Sequence, residues 1–433
     1  MIGNTLAVPA GKNRSARFGV ADLTDAKKFP AFSAINLRED GNGFVAAEGT
    51  EFVADAPEGT EEIYAALDKC FAYVNGEMYT IADGKIAGKS TVRSLPNELG
   101  HYFGHATGSK IGIVTDTRFL NFTHNGSTLY GGSIGGSSFT VINDRIFSIN
   151  GLQLQYSDWF DNMEDFGLYK STASGIIDLP DFAGKGLKLV GRNGFAYLIL
   201  EHDIWKLELL SDPLNFKIKE YQFSLDTVHE KSVADCGSHI YFCTTRGLVS
   251  FDGSKCKPVE CDLIKSVDFL QPVYACRAEG RYYASVAFKG KGRGMLVYDD
   301  LTKRAYRLDI STTHFNAWHK LHYLTAQGKI YRFTGKNGFP AGSSVGCGIL
   351  ETGKFRPFEK GRFVLHAITV EGVGHYVINA TAEVGGGVEG MAGNRLIFKV
   401  PPRGETLSLR IDATSPGTRL EAITLEFREV ENE

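Results

Sequence analysis

The sequence predicts an all-β protein, a six- or seven-bladed β-propeller followed by a small antiparallel β-sandwich. Three observations predict it. The 433 residues include 50 Gly, 29 Phe and 18 Tyr against 13 Pro and 5 Met; aromatics suit half-buried pleated surfaces, and glycine supplies the positive φ of tight turns. A turn-type residue recurs three positions before an aromatic, at Gly76/Tyr79, Asp116/Phe119, Asp144/Phe147, Gly194/Tyr197, Ser238/Tyr241, Gly280/Tyr283 and Gly328/Tyr331. Beyond residue 348 that spacing gives way to short alternating runs.

The repeat carries the propeller. Most of its steps are 40 to 50 residues, with one of 28 between Phe119 and Phe147. Residues 239–253 show the unit best. Ile240-Tyr241-Phe242-Cys243-Thr244-Thr245 reads as a strand, Arg246-Gly247 as a turn, Leu248-Val249-Ser250-Phe251 as a second strand and Asp252-Gly253 as the next turn. Units of this length with three or four short strands are propeller blades, because one small sheet cannot bury both faces alone. An α-solenoid would need amphipathic helices, and only residues 61–71 read as a short helix.

The organisation expected is an N-terminal arm over 1–44, a propeller over 45–340 and a sandwich over 345–433, with 336–348 as the linker. The arm either packs on a neighbour or supplies a strand that closes the ring. In the sandwich, residues 362–370, 375–382, 395–400, 406–413 and 420–428 read as strands, and Gly-rich 384–393 reads as a flexible loop.

A net charge of −3 and a pI near 6.4 argue against the whole chain being an electrostatic binder of nucleic acid or anionic membrane. No signal-peptide pattern opens the chain, and no 18-residue apolar window predicts a membrane helix. The seven cysteines lack any C-x-x-C pair, so free thiols in a reducing compartment are expected, with no metal and no cofactor.

Few residues suggest chemistry. Residues 84–90 mimic a P-loop but are one residue short between the glycines and precede no helix. His101 and His105, and His314, His319 and His322, are histidine groups without a helical face to align them. Asp158, Asp161, Glu164 and Asp165 form an acidic loop around Trp159. Paired carboxylates serve glycoside hydrolysis, but four in eight residues read first as an acidic interaction surface. Lys289, Lys291 and Arg293 lie on a Gly-rich hairpin suited to an acidic neighbour or a phosphate backbone. No Gly-x-Ser-x-Gly elbow or His-Glu-x-x-His motif occurs, so no catalytic residue is expected.

Ile35-Asn36-Leu37-Arg38-Glu39-Asp40 with Gly49-Thr50-Glu51-Phe52 resembles the opening of bacteriophage tail and neck propellers. Leu154-Gln155-Tyr156-Ser157 with Asp165-Phe166, residues 247–253, and residues 282–286 through 296–299 resemble their strands and loops. The group includes podophage nozzle and packaged-DNA stabilisation proteins, and the resemblance runs over 35–335 as degenerate patterns. It implies a non-enzymatic virion protein assembled in the host cytoplasm. Copies would form a homo-oligomeric ring, contact portal, adaptor or tail components, join head to tail and touch packaged DNA transiently. The other functions expected are a glycan- or protein-binding module outside a virion and a glycoside hydrolase using the acidic loop.

Overall fold

The computed structural model describes residues 13–29, 32–67, 69–104, 108–123, 129–132, 135–159, 166–167, 173–208, 213–359 and 361–430. The chain is all-β; among the described residues only the four-residue Val20–Leu23 and Asp262–Lys265 are α-helical.

Seven four-stranded antiparallel meanders follow one another. Their first strands are Glu62–Ala66, Glu98–Gly104, Ser138–Ile142, Gly186–Arg192, Ala234–Asp235, Tyr274–Ala278 and Phe315–Ala317. In six meanders the four strands are consecutive. The seventh takes its fourth strand, Thr50–Asp55, from far upstream, pairing Phe52 with Tyr331 and Thr50 with Phe333. First strands pack against first strands: the first meander on the second, the second on the third, the third on the fourth, the sixth on the seventh and the seventh back on the first. The fifth's first strand also packs on that of the sixth, and the 3-10 turn Glu230–Ser232 leading into the fifth meets both the fourth and the sixth.

Each meander has apolar side chains on both faces, and each neighbour covers one. Phe147, Leu154 and Tyr156 of the third share a core with Leu198, Trp205 and Leu207 of the fourth. Ile199 and Ile204 on the fourth's other face meet Ile240, Phe242 and Phe251 of the fifth. Fully burying one such side chain stabilises by roughly 1.5–3 kcal/mol, so an isolated meander would forgo half of its gain.

The 28-residue step in the repeat has a physical explanation. Gly76 and Asp116 stand between the second and third strands of their meanders, whereas Asp144, Gly194, Ser238 and Gly280 stand between the first and second. Both turns are tight and followed by a buried aromatic or half-buried strand, so the signature changes place and the unit does not shorten.

A second unit draws on both ends of the sequence. In one sheet Arg419–Val430 pairs with Arg362–Val373 on one side, and with Asn13–Gly19 and Gly43–Ala46 on the other. The other sheet continues the sixth meander outward. From Arg304–Leu308 it passes through Ser33–Ile35, Gly348–Glu351, Ser408–Ala413 and His375–Thr381 to Gly386–Met391, making nine strands. One core joins the two: Phe18, Leu23, Phe29, Leu37 and Phe44 pack with Phe363, Ile368, Tyr376, Ile378, Leu409 and Phe427. Strict alternation in Ser408–Ala413 sends Leu409, Ile411 and Ala413 inward.

Four sequence expectations change. Residues 61–71 are the strands Glu62–Ala66 and Lys69–Val74, because Ile63, Tyr64, Phe71 and Tyr73 bury against sheet neighbours. Gly-rich 384–393 contains the edge strand Gly386–Met391, paired with His375–Thr381; Gly387 sits where a Cβ would lie 3.1 Å from the Asn379 side chain. The strands Asn13–Gly19, Ser33–Ile35, Leu37–Asp40 and Gly43–Ala46 are woven into the second unit's sheets, and 336–348 is tied down. Gly338 accepts the Glu48 amide, and Ser343 and Ser344 donate to Asp309, whose carboxyl is thereby held below its ordinary value although burial opposes this.

Candidate functional site

The first strands surround a cavity of about 430 Å³ to which all seven meanders contribute. One strand of each meander lines it, so its chemistry is set by side chains far apart in sequence.

Much of the lining polarity is used internally. On the second meander, Glu98 accepts hydrogen bonds from Ser138 Oγ at 2.6 Å and the Phe139 amide at 3.1 Å on the third. Its other oxygen takes Lys188 Nζ, from the fourth, at 2.5 Å. One carboxylate thus joins three meanders. Asn316 Oδ1 of the seventh accepts the Ala65 amide of the first at 3.3 Å. His314 lies 3.4 Å from Glu62, which raises the imidazole's pKa. Trp318 of the seventh meander reaches past the first to meet His101 of the second edge-to-face, with ring centroids 5.1 Å apart. Burial lowers His101, favouring the neutral ring, and its Nε2 lies 2.5 Å from Ser109 Oγ. Lys231 and Arg277 differ: both are exposed, both line the cavity, and neither side chain has a hydrogen bond or ion pair among the described residues.

Elsewhere, Asp300 of the sixth meander accepts hydrogen bonds from Ser238, Tyr241 and Lys303 and lies 3.1 Å from His239 Nδ1. Burial would raise this carboxyl, but those donors outweigh it and bring it to about 2. Ser238 and Asp300 meet the same ring nitrogen of His239, at 2.8 and 3.1 Å, whereas a Ser-His-Asp relay uses both nitrogens. The cluster ties the fifth meander to the sixth. Sequence reading missed it because Asp300 lies 62 residues beyond Ser238.

Burial also raises the thiols, bringing Cys70, Cys236, Cys243 and Cys256 to about 12, so none of these is an activated nucleophile. Among the described residues no group of three His, Cys, Asp or Glu side chains could hold a metal.

The acidic loop is described only at its start. Asp158 and the backbone of Trp159 end the strand Gln153–Trp159, while Asp161, Glu164 and Asp165 lie outside the described residues, as does His105. The basic hairpin does not project freely. Lys289 donates to the Lys265 carbonyl at 2.9 Å, Lys291 reaches Ser33 Oγ at 3.4 Å, and Arg293 donates to the Ser285 and Pro272 carbonyls at 3.1 Å each. His319 is exposed and His322 buried, and residues 85–90 lie in the strand Lys85–Thr91.

No protein-family model and no curated protein matches the chain in sequence. Among solved structures, it is similar to BBS1N in its complex with ARL6DN (TM-score 0.42, 8% identity, 68% of this chain and 96% of that one). It is also similar to the N-terminal domain of Nup159 (0.40, 9%, 70% and 95%) and to apo AztD from Citrobacter koseri (0.37, 12%, 64% and 95%). These are partial likenesses at low identity, so what the chain does has to be reasoned from its own residues.

Proposed function

We propose that the chain is a seven-bladed β-propeller with a fused β-sandwich, acting as a non-enzymatic scaffold through protein–protein contacts. One observation carries this reading: the two units are welded, and the weld leaves apolar sheet edges exposed. The nine-stranded sheet runs from the sixth meander into the second unit without a break. Asn36 locks the crossing, donating to the Cys347 carbonyl at 3.0 Å and to Ser343 Oγ at 3.1 Å while accepting the Asp309 amide at 2.7 Å. At the far side, Gly386–Met391 and Arg395–Ile397 end their sheets, and Met391, Ile397, Val400 and Val373 stand exposed along them. Exposed strand edges beside apolar side chains favour pairing with another chain.

In its specific form the proposal is a tail or neck protein of a bacteriophage, assembled in the host cytoplasm. Copies would form a ring against portal, adaptor or tail proteins that joins head to tail or retains DNA. The degenerate sequence resemblance over 35–335 supports this form, and the welded units suit a load-bearing part. The test is mass spectrometry of purified virions from the phage or induced prophage carrying the gene, with negative-stain imaging of the protein mixed with its portal complex. Stoichiometric presence in the particle and a ring on the portal are expected. Absence from particles that package DNA normally would refute the virion role.

A further inference from the structure

We infer that the central cavity is a binding site for a small molecule bearing an anionic oxygen group, a carboxylate or a phosphate, held by Lys231 and Arg277. The inference is independent of the scaffold role.

The lining divides into a satisfied part and an unsatisfied part. Glu98 and Lys188 form an ion pair, and Ser138 and the Phe139 amide also donate to that carboxylate. Glu62 faces His314, and Glu230 faces Lys185 at 3.6 Å. Asp235 turns an oxygen back to the Gly237 amide at 2.9 Å. Across the wall formed by the fifth and sixth meanders, Lys231 and Arg277 have no such partners among the described residues. Lys231 Nζ lies 5.8 Å from the centre of the Tyr274 ring, near enough for a weak cation–π attraction but leaving its three donors free.

Arginines elsewhere in this molecule are commonly paired. Arg17 holds both oxygens of Glu371 at 2.7 Å, Arg395 both oxygens of Glu426 at 2.7 and 2.6 Å, and Arg281 bridges Glu48 and Asp299. Lys231 and Arg277 thus place two cations without an ion pair among the described residues on adjacent meanders of one cavity. A guanidinium presents a planar fork matched to carboxylate or phosphate, and an ammonium adds a flexible point charge. A volume of about 430 Å³ lies within the size range of small-ligand sites. Tyr274 and Trp318 line the same cavity, with Lys231 and Arg293 over the Tyr274 ring at 5.8 and 5.9 Å from its centre.

The test is isothermal titration of the full chain with inorganic phosphate and, separately, with citrate, at constant ionic strength. Arg277→Gln and Lys231→Gln would be titrated beside it, and Lys255→Gln, an exposed turn lysine outside the cavity, serves as the control. Saturable one-to-one binding of at least one anion is expected, weakened at least tenfold by either cavity substitution and unchanged in Lys255→Gln. The anion that binds identifies the group, carboxylate or phosphate. Because both substituted side chains are exposed, unaltered melting temperatures should separate lost binding from lost folding. Heats of dilution alone from both anions, or equal binding by the folded variants, would overturn the inference.

Discussion

Glu48 gives the sharpest test of how the crossing segment is held to the sixth meander. It sits where the chain leaves the second unit to become the seventh meander's borrowed strand, its amide donating to the Gly338 carbonyl at 3.0 Å. The side chain is only 2% exposed, and Oε1 receives Arg281 Nη1 at 2.6 Å, Tyr306 Oη at 2.7 Å and Tyr283 Oη at 3.4 Å, all from the sixth meander. Glu48→Ala would strand a guanidinium and two phenols together. Breaking a buried pair costs about 3–5 kcal/mol, but Arg281 keeps Asp299 at 3.2 Å, so the lower end applies, about 3 kcal/mol. That is roughly a hundredfold in the folded-to-unfolded ratio, and about 3 °C in Tm if the chain melts as one unit. Burial raises the Glu48 carboxyl above its ordinary value even against Tyr306 and Arg281. The folded state therefore binds this proton more readily, and the group's contribution to stability declines as pH rises from the ordinary carboxylate range through the raised value. Glu48→Gln, uncharged throughout, should cost about 1 kcal/mol and abolish that dependence. Calorimetry and urea titration read both variants. A Glu48→Ala protein within about 0.5 kcal/mol of the parent would refute the reasoning.

Three further outcomes are expected. Asp300, brought to about 2, contributes stability that is present above the ordinary aspartate value and lost as pH falls through the folded one; Asp300→Asn should remove up to about 2 kcal/mol of acid-dependent stability, read as a flattened urea midpoint between roughly pH 4 and pH 2. Gly372 has φ +130°, and a Cβ there would meet the Arg419 carbonyl at 1.9 Å, so Gly372→Ala should destabilise by more than about 3 kcal/mol; Gly280→Ala, with φ +75° and open space, should cost about 1 kcal/mol by thermal denaturation. Residues 345–433 alone should give poorly dispersed amide NMR signals, because the core lacks Phe18, Leu23, Phe29, Leu37 and Phe44; a dispersed spectrum from that fragment would refute a core shared by both ends.

Local signals and distant pairings were unequally legible. Turn glycines ahead of aromatics expose the meanders because both features act within a few residues; Gly76, Gly194, Gly280 and Gly328 all have positive φ. The C-terminal strands were legible for the same reason, since alternation such as Leu407-Ser408-Leu409-Arg410-Ile411 marks a sheet with one wet face. Residues 61–71 misled because Ile63, Tyr64, Ala65 and Ala66 form a run buried on both faces, which periodicity alone cannot distinguish from a helix. The Thr50–Asp55 pairing was illegible, since nothing local in Thr-Glu-Phe-Val-Ala-Asp points to Lys329–Phe333. The cavity was hidden too: Lys231 and Arg277 lie in different meanders, and each alone reads as an ordinary surface cation. The basic hairpin is visible through its charge density, whereas the carbonyl and hydroxyl partners of Lys289, Lys291 and Arg293 come from Lys265, Ser33, Ser285 and Pro272, elsewhere in the sequence.

The chain's path explains why the two units behave as one body. From Asn13 it lies in the second unit, crosses at Asn36 and Glu48, gives Thr50–Asp55 to the seventh meander, runs through six meanders and the other three strands of the seventh, and returns to complete both sheets it left. The closing pairings join residues far apart in the sequence, such as Arg14 with Phe427 and Phe52 with Tyr331. Loop closure of that length costs entropy before any contact rewards it, so these pairings should form late, after the local meanders. Once formed, they make separation of the units require loss of the borrowed strand, the Glu48 network and the shared core together. A force applied at the edge strand Gly386–Met391 would therefore pass along a continuous hydrogen-bonded sheet into the sixth meander instead of through a flexible tether.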